Sequence, residues 1–430
     1  RMEIISQLRE VDYVIPSNEI TSLNNLKLIK PNFYCKGSDY KDSKNDLTKN
    51  INLEKLTVKK FNGKIVFTDT KIHSSSKILK SNFDFLNKAQ NKFIKNIKKT
   101  DEINIRDHFN KMQNLKVLIV GEIIIDSYIY GEAVGKSAKD PIIVLKEKHT
   151  EEYLGGAAAI AKNVSSFSKN VTLISPFEKS SKYNNFIKNH TNSTFKIKKF
   201  NKKNFKTINK KRFVESINKR KLLGLYSIND EIIDKINEKK VIKYLEKNKK
   251  NFDLVIVADY GHGFLSSRIS NFISKNFKNS FINCQINSFN HRSQNILKFN
   301  KSNCIVMNET ELRIDLRDES SNLKDLSKKF FNKYDFKLLV VTSGSSGSNI
   351  FFKENNEVIF CPAFGSNIVD KTGSGDSLLA LFSLCYSAGM SKELSILIGS
   401  LAAAVSLNYI ANSKIINKDT IIKSSENLIN

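Results

Sequence analysis

The sequence predicts two α/β units, the larger a doubly wound sheet of about 300 residues that carries a small β lid. Three observations predict it. Continuous apolar runs at Lys116–Gly121, Val171–Ser175, Leu254–Ala258, Cys304–Met307 and Leu338–Thr342 look like parallel strands buried on both faces. Helical periodicity fills the intervals between them. Two other stretches, Ile142–Lys148 and Lys211–Tyr226, read instead as exposed antiparallel strands and are assigned to the lid.

In chain order, residues 1–82 form the smaller α/β piece. An amphipathic helix with Ile4, Ile5 and Leu8 leads into a short strand, Tyr13–Ile15, and then a helix at Leu23–Ile29. The strand Phe33–Lys36 ends at Gly37; the polar stretch Lys41–Asn52 precedes the strand Lys64–Phe67 and a Ser-rich turn, His73–Ser76. Residues 83–113 place Phe85, Leu86, Ala89, Phe93, Ile94 and Ile97 at the spacing of a helix laid over a surface, a connector. At Leu115 the pattern changes sharply, and residues 114–425 make up the larger unit.

Composition narrows the classes. Hydrophobic residues are 40% and charged residues 26%, a globular balance, and five prolines with 17 glycines exclude a collagen-like or Pro-rich chain. No window reaches the ~18–20 apolar residues of a membrane span; the richest stretch, Leu378–Ile410, is broken by Lys392 and Glu393. The net charge of +27 could mark a nucleic-acid or anionic surface, but only nine of the 70 basic residues are Arg. About 50 residues are Asn, so lysine, asparagine and isoleucine rise together as they do in AT-rich coding sequence. No specific nucleic acid and no membrane partner is expected. Five scattered cysteines without a C-x-x-C pair argue against disulfides or zinc and for a reducing, cytoplasmic setting. Beginning at Arg1 rather than Met, the chain is expected to be a fragment or processed product.

The strongest motif is Asp370-Lys-Thr-Gly-Ser-Gly-Asp376, followed at once by the apolar helix Ser377–Ala388. Glycines and a serine at a helix start turn several N–H groups toward one point, and the helix dipole makes that point attractive to anions. A carboxylate there repels a static phosphate. It fits a reaction in which Asp376 accepts a hydroxyl proton while Gly373, Ser374 and Gly375 stabilise a moving phosphoryl group. The same residues also read as a plain helix start with an acid in its first turn. No Lys-Ser/Thr follows the glycines, so this is not a P-loop.

These residues resemble the ribokinase-like (PfkB) sugar kinases, whose signature is D-x-x-G-A-G-D. The resemblance extends upstream, in order and at strand ends, over roughly residues 115–412. Gly121-Glu122 and Asp126 match the family's opening strand and sugar-binding Asp. Gly155-Gly156-Ala-Ala-Ala-Ile-Ala161 with Asn163 matches its G-G-A turn. Asn308-Glu-Thr-Glu311 matches its N-x-x-E motif, which organises magnesium through water. Thr342-Ser-Gly344 and Gly347 match the loop flanking the nucleotide. The resemblance implies a ribokinase-like fold with ATP and Mg2+ as cofactors. Closest in character are kinases of heptose 7-phosphate on the way to a nucleotide-activated sugar. Asp259-Tyr-Gly-His-Gly263 looks like their D-Y-G-K-G segment, and Lys210 and Arg212 look like the basic pair that could hold a substrate phosphate; a solvated Lys cluster is the plainer reading of these two. Ala159, Ser374 and His262 depart from that subfamily's Asn, Ala and Lys, which puts substrate identity in doubt.

Residues 1–82 resemble the C-terminal part of a cytidylyltransferase-like, Rossmann-like nucleotidyltransferase, through Arg1-Met-Glu, Val11–Pro16, Phe33–Tyr40 and Ser74-Ser-Ser-Lys-Ile78. None of His73, His108, His149, His190, His262 or His291 has the spacing of that family's H-x-G-H, so this fragment is not expected to transfer nucleotides by itself.

The expected activity is ATP-dependent phosphorylation of a sugar or sugar phosphate. The sugar would lie against Asp126, Gly155, Gly156 and Asn163, and ATP and magnesium over Asn308, Glu311 and Thr342–Gly347. Kinases of a free hexose, pentose or nucleoside remain open, as does a non-catalytic sugar- or nucleotide-responsive or nucleic-acid-binding module. A homodimer through the lid follows from the resemblance alone.

Overall fold

The structure is a computed structural model, and it describes residues 5–6, 10–17, 21–37, 51–68, 86–100, 105–137, 139–191, 195–286, 290, 294–299, 301–365 and 368–429. The chain divides into two compact units, residues 1–85 and 86–430.

In the first unit, helix α1 (Leu23–Ile29) ends where Lys30 turns left-handed at φ 48°. Strand β1 (Phe33–Gly37), helix α2 (Ile51–Lys60) and strand β2 (Lys64–Thr68) follow. β1 and β2 pair in parallel, Phe33 opposite Lys64, with α2 between them in sequence. Leu26, Ile51 and Val58 are buried. So is Glu54, which takes a 2.6 Å ion pair from Lys36 and a hydrogen bond from the Ser22 hydroxyl. The expected strand at Tyr13–Ile15 does not form: Tyr13 and Ile15 are exposed, and among the described residues no strand pairs with them. Helix α2 occupies the end of what read as a polar stretch. The expected features at residues 1–4, Leu8, 38–40, 73–76 and 77–78 lie outside the described residues.

The second unit opens with helices α3 (Lys88–Thr100) and α4 (Ile105–Met112). Rather than skirting a surface, they insert Phe93, Ile94, Ile97, Ile105, Phe109 and Met112 into this unit's core. Strands β3 (Lys116–Gly121), β4 (Ile123–Lys136) and β5 (Ile143–Gly156) come next, then α5 (Ala157–Ser165) and β6 (Asn170–Pro176). Helix α6 (Asn184–Thr191), β7 (Lys196–Phe200), β8 (Ile208–Glu215), β9 (Lys221–Ser227), α7 (Lys235–Asn248) and β10 (Leu254–Asp259) continue the chain. After α8 (Ser267–Asn276), β11 (Ser280–Cys284) and β12 (Cys304–Asn308) come α9 (Glu309–Leu316) and α10 (Leu323–Lys333). β13 (Leu338–Thr342), β14 (Ser348–Phe352) and β15 (Val358–Cys361) complete the strands, and α11 (Ser374–Ser387), α12 (Lys392–Leu407) and α13 (Lys418–Ile429) close the unit.

The main sheet has nine strands in the order β15-β14-β13-β12-β11-β10-β3-β6-β7. From β7 to β13 the strands run in parallel; β14 and β15 are antiparallel additions. β3 shows why the sequence run is continuous: Val117 and Ile119 join one core, Leu118 and Val120 the other. Helices α5, α11 and α12 pack on the first face, α7, α8 and α9 on the second. Strand order steps away from β3 in both directions, which opens a crevice at the carboxyl ends of β3 and β10.

The lid is a four-stranded sheet, β5-β4-β8-β9. The stretch Lys211–Tyr226 supplies parts of two strands, β8 and β9, as a hairpin. Its central pairing, β4 with β8, is parallel rather than antiparallel, because the chain crosses back through β6 and β7 between them. β4 itself escaped the sequence reading: it is separated from β3 only by Glu122, and its first three residues, Ile123–Ile125, are as buried as a core strand. No described helix is long and apolar enough to cross a membrane.

Candidate active site

The carboxyl ends of the central strands, the lid and the start of α11 enclose a cleft of about 520 Å³. Asp126, Gly156, Lys210, Arg212, Asn308, Glu311, Thr342, Gly344 and Gly373–Asp376 all line it. These positions span 250 residues of sequence and meet because the ends of the central strands, the start of α11 and the inner face of the lid strands β4 and β8 front the same crevice.

Gly373 caps α11 at φ +87°, a conformation that favours glycine, and a Cβ there would collide with the Asn412 side chain. The N–H groups of the first helical turn have no carbonyl partner within the helix; Ser374 N–H lies 3.5 Å from the Lys371 carbonyl, and residues 373–376 line the cleft. Asp376 stands in that turn, with the Tyr260 hydroxyl donating to its Oδ1 at 2.9 Å. Burial pushes its pKa up to about 6, with the Tyr260 hydrogen bond opposing and the nearby Asp126 adding to the rise. A carboxyl poised there is close to neutral pH and can both take and release a proton.

Asp126 is buried on β4, opposite Lys210 on the parallel β8. Residues two apart on a strand share a face, so Lys210 and Arg212 look into the cleft together. Arg212 Nη1 donates to Asp126 Oδ1 at 2.6 Å, and its guanidinium lies 5.3 Å from the Tyr128 ring centre. Lys210 sits between the rings of Tyr226 and Tyr260, 5.9 and 5.8 Å away. Burial lowers its pKa, with Asp126 opposing.

At the other end, Asn308 and Glu311 form a reciprocal capping box on α9: each side chain accepts the other's N–H at 2.8 Å. Burial raises Glu311 to about 7, against the amides it accepts from, and a cation beside it would favour its ionised form. Among the described residues no cluster of three or more His, Cys, Asp or Glu could hold a metal directly. The donor set fits magnesium held through water and phosphate oxygens, with Glu311 and Asn308 at the rim. Beyond Thr342 and Gly344 lies a second cavity of about 250 Å³, walled by Gly347, Ala363, Phe364, Leu378, Ala403, Ala404 and Leu407. It shares Ser374 and Gly375 with the cleft.

Three expected contacts are placed differently. Asn163 is not in the wall: it is buried, donating to Ser377 Oγ at 3.2 Å and accepting from the Ile416 amide, so it ties α5 to α11. Gly155 lies behind Asp126, where a Cβ would collide with the carboxylate. Gly347 reaches only the second cavity. His262 is buried outside the wall with Nδ1 2.7 Å from Asp230. Glu122 accepts from the Phe264 amide at 3.3 Å, raised in pKa by burial and by Asp259; it braces the loop after β10. Sequence reasoning missed Tyr260 and Asn412 as site-forming residues, together with Asn283 and Gln285 at the end of β11. Tyr260 stood inside a quoted segment and could have been singled out; β11, short and half polar, gave no such signal.

A family model described as pfkB family carbohydrate kinase matches residues 114–414, well over half of the chain. The chain belongs to that family. Within the pfkB family its relatives include the bifunctional protein HldE of Aliarcobacter butzleri, 25% identical over 299 residues, covering 67% of this chain and 60% of the relative. The bifunctional protein HldE of Helicobacter pylori (strain HPAG1) is 26% identical over 302 residues, covering 67% and 62%. The chain thus spans about three fifths of the length of these relatives. Among solved structures, ribokinase from Thermotoga maritima superposes with a TM-score of 0.57 at 18% identity, over 73% of this chain and 99% of that one. Arabidopsis thaliana ribokinase complexed with ribose and ATP gives 0.54 at 16%, over 72% and 98%. Phosphofructokinase-2 from Escherichia coli in complex with fructose-6-phosphate gives 0.56 at 14%, over 74% and 100%. The fold of the second unit is ribokinase-like, a mixed sheet with its lid.

Proposed function

We propose that the protein transfers the γ-phosphoryl group of ATP to a hydroxyl of a sugar phosphate, with a heptose 7-phosphate favoured. The observation that carries this reading is the pair Lys210 and Arg212, two lid cations facing the same cleft as Asp376. A free sugar needs no such pair; a terminal phosphate does. The resemblance of Asp259-Tyr-Gly-His-Gly263 to the D-Y-G-K-G segment of heptose 7-phosphate kinases supports the same acceptor class.

In this reading the sugar hydroxyl gives its proton to the Asp376 carboxylate as its oxygen bonds to the γ-phosphorus. The bond from that phosphorus to the β–γ bridging oxygen breaks, and ADP leaves. Gly373–Gly375 N–H groups hold the moving phosphoryl oxygens, and Asp126 orients sugar hydroxyls. Asn308 and Glu311 would hold magnesium through water, and the ion would supply neutralising charge to the phosphates. The second, largely apolar cavity suits a nucleobase.

One observation favours a free sugar instead: Arg212 already has a carboxylate partner in Asp126. A panel of acceptors with and without a terminal phosphate separates the two readings. Lys210→Ala and Arg212→Ala are expected to impair only phosphorylated acceptors; equal loss on both kinds would favour the free sugar. In the same spirit, we read the first unit as the C-terminal part of a nucleotidyltransferase-like domain, a reading its parallel β1–α2–β2 crossover supports. A homodimer through the lid is supported by the exposed Ile143, Leu223, Leu225 and Tyr226, and mass measurement in solution tests it.

A further inference from the structure

One buried acid of the Asp370–Asp376 loop has no part in the chemistry above. Asp370 is only 3% exposed, and its carboxylate collects donors from four separate stretches of chain. Lys221 Nζ on β9 reaches Oδ1 at 2.6 Å. The Tyr128 hydroxyl on β4 reaches Oδ2 at 2.5 Å. The Ala411 amide, after α12, donates to Oδ2 at 3.2 Å, and the Thr372 amide and hydroxyl donate to Oδ1 at 3.1 and 3.0 Å. Both lid residues also approach the Thr372 hydroxyl directly, Tyr128 at 3.3 Å and Lys221 at 3.4 Å.

The charge state follows from this surrounding. Burial opposes ionisation, but the hydrogen bonds from Lys221, Tyr128 and the Thr372 amide outweigh it and hold the pKa down at about 2. Asp370 is therefore an anion at any working pH. A buried anion is tolerated only while its donors stay in place.

Topology gives the arrangement a direction. β4 and β9 are not neighbours: β8, which carries Lys210 and Arg212, lies between them. The Asp370 carboxylate thus grips the lid sheet on both sides of the strand that faces the acceptor. On its other side it grips Thr372, one residue before the Gly373–Gly375 amides. The lid cannot swing away without drawing Lys221 or Tyr128 off this anion, and the freed carboxylate no longer fixes Thr372 in the same way.

We propose that Asp370 is a positioning residue that couples the seating of the lid over the acceptor to the aim of the Gly373–Gly375 amides. The coupling makes phosphoryl transfer conditional on a seated lid and disfavours transfer to water when the acceptor site is open. It rests on the reading of Gly373–Asp376 as the phosphoryl-transfer site.

The test uses the full chain, ATP, and heptose 7-phosphate or fructose 6-phosphate as acceptor. The variants are Lys221→Met, at a half-exposed position, and Tyr128→Phe, which removes only a hydroxyl; circular dichroism and thermal melting establish that each variant is folded before turnover is compared. Each is expected to lower kcat about tenfold with the KM for ATP unchanged, and Lys221→Arg to restore most of it. Amide hydrogen exchange at residues 371–377 is expected to slow on adding acceptor in the wild type and not in Lys221→Met. A purely structural role would lower the thermal midpoint without that split. The coupling is overturned if Lys221→Met and Tyr128→Phe turn over like wild type while Asp376→Asn is inactive. Should Asp376→Asn itself stay active, the reading of the site falls, and the coupling with it.

Discussion

The two ends of the cleft are built from different materials. The end proposed for the acceptor is charged: Asp126, Lys210, Arg212 and Asp376 crowd together, and burial displaces the titration of Lys210 and Asp376 from ordinary values. The second cavity, proposed for the nucleotide, is largely apolar, walled by Gly347, Ala363, Ala403, Ala404 and Leu407, with Lys371 and several serines also in its lining. The difference teaches where discrimination resides. Buried, mutually dependent charges respond steeply to the wrong partner, whereas an apolar slot tolerates variation in what fills it.

The contrast can be broken by mutation. The largest effect belongs to Asp376→Asn, expected to lower kcat by roughly 10²–10⁴ while acceptor binding by calorimetry persists. As the proposed base, Asp376 must be ionised to accept a proton, so kcat should rise with pH through about 6 and flatten above it. The same raised pKa makes ionisation harder in the folded chain than in the unfolded one, so this group's stabilising contribution is present below pH 3.8 and lost through about 6. Asp376→Asn should therefore melt higher than wild type at pH 8, with the gain disappearing near pH 4. Next comes Arg212→Ala, expected to reduce kcat/KM about 10–100-fold for a phosphorylated acceptor. Glu311→Gln keeps the capping box, since an amide oxygen can still accept from Asn308, but removes the charge. Its expected signature is a half-saturating Mg2+ concentration raised about tenfold, read by metal titration. The smallest effect is at the largely apolar second cavity: Ala404→Leu narrows it and should raise the KM for ATP about fivefold, leaving the acceptor KM alone. If Ala404→Leu hurts more than Arg212→Ala, the asymmetry between the ends is wrong.

What the sequence disclosed follows the same division. Residues acting through backbone geometry were legible, because left-handed turns at Gly156, Gly344 and Gly373 favour glycine and strand-end motifs occur in fixed order. The strand β3 was legible since burial on both faces leaves no polar position within it. The lid was half legible: the stretch forming β8 and β9 read as exposed strand, but β4 carries a core pattern at one end and an exposed one at the other. Asn163 misled because an amide on a helix start can face either the crevice or the neighbouring helix, and only packing against Ser377 decides. Tyr260 and Asp370 act through partners more than a hundred residues distant, a relation that no local pattern carries.

Helices α3 and α4 lie before the span matched by the family model, yet they seal its core. The inherited module and the physical body therefore have different edges. A truncation at residue 114, natural to a reader of motifs, would flay the unit: Phe93, Ile97, Phe109 and Met112 would be gone, and the apolar floor they cover would face water as a sticky wound. Such a piece should aggregate, while one beginning at Leu86 should stay in solution.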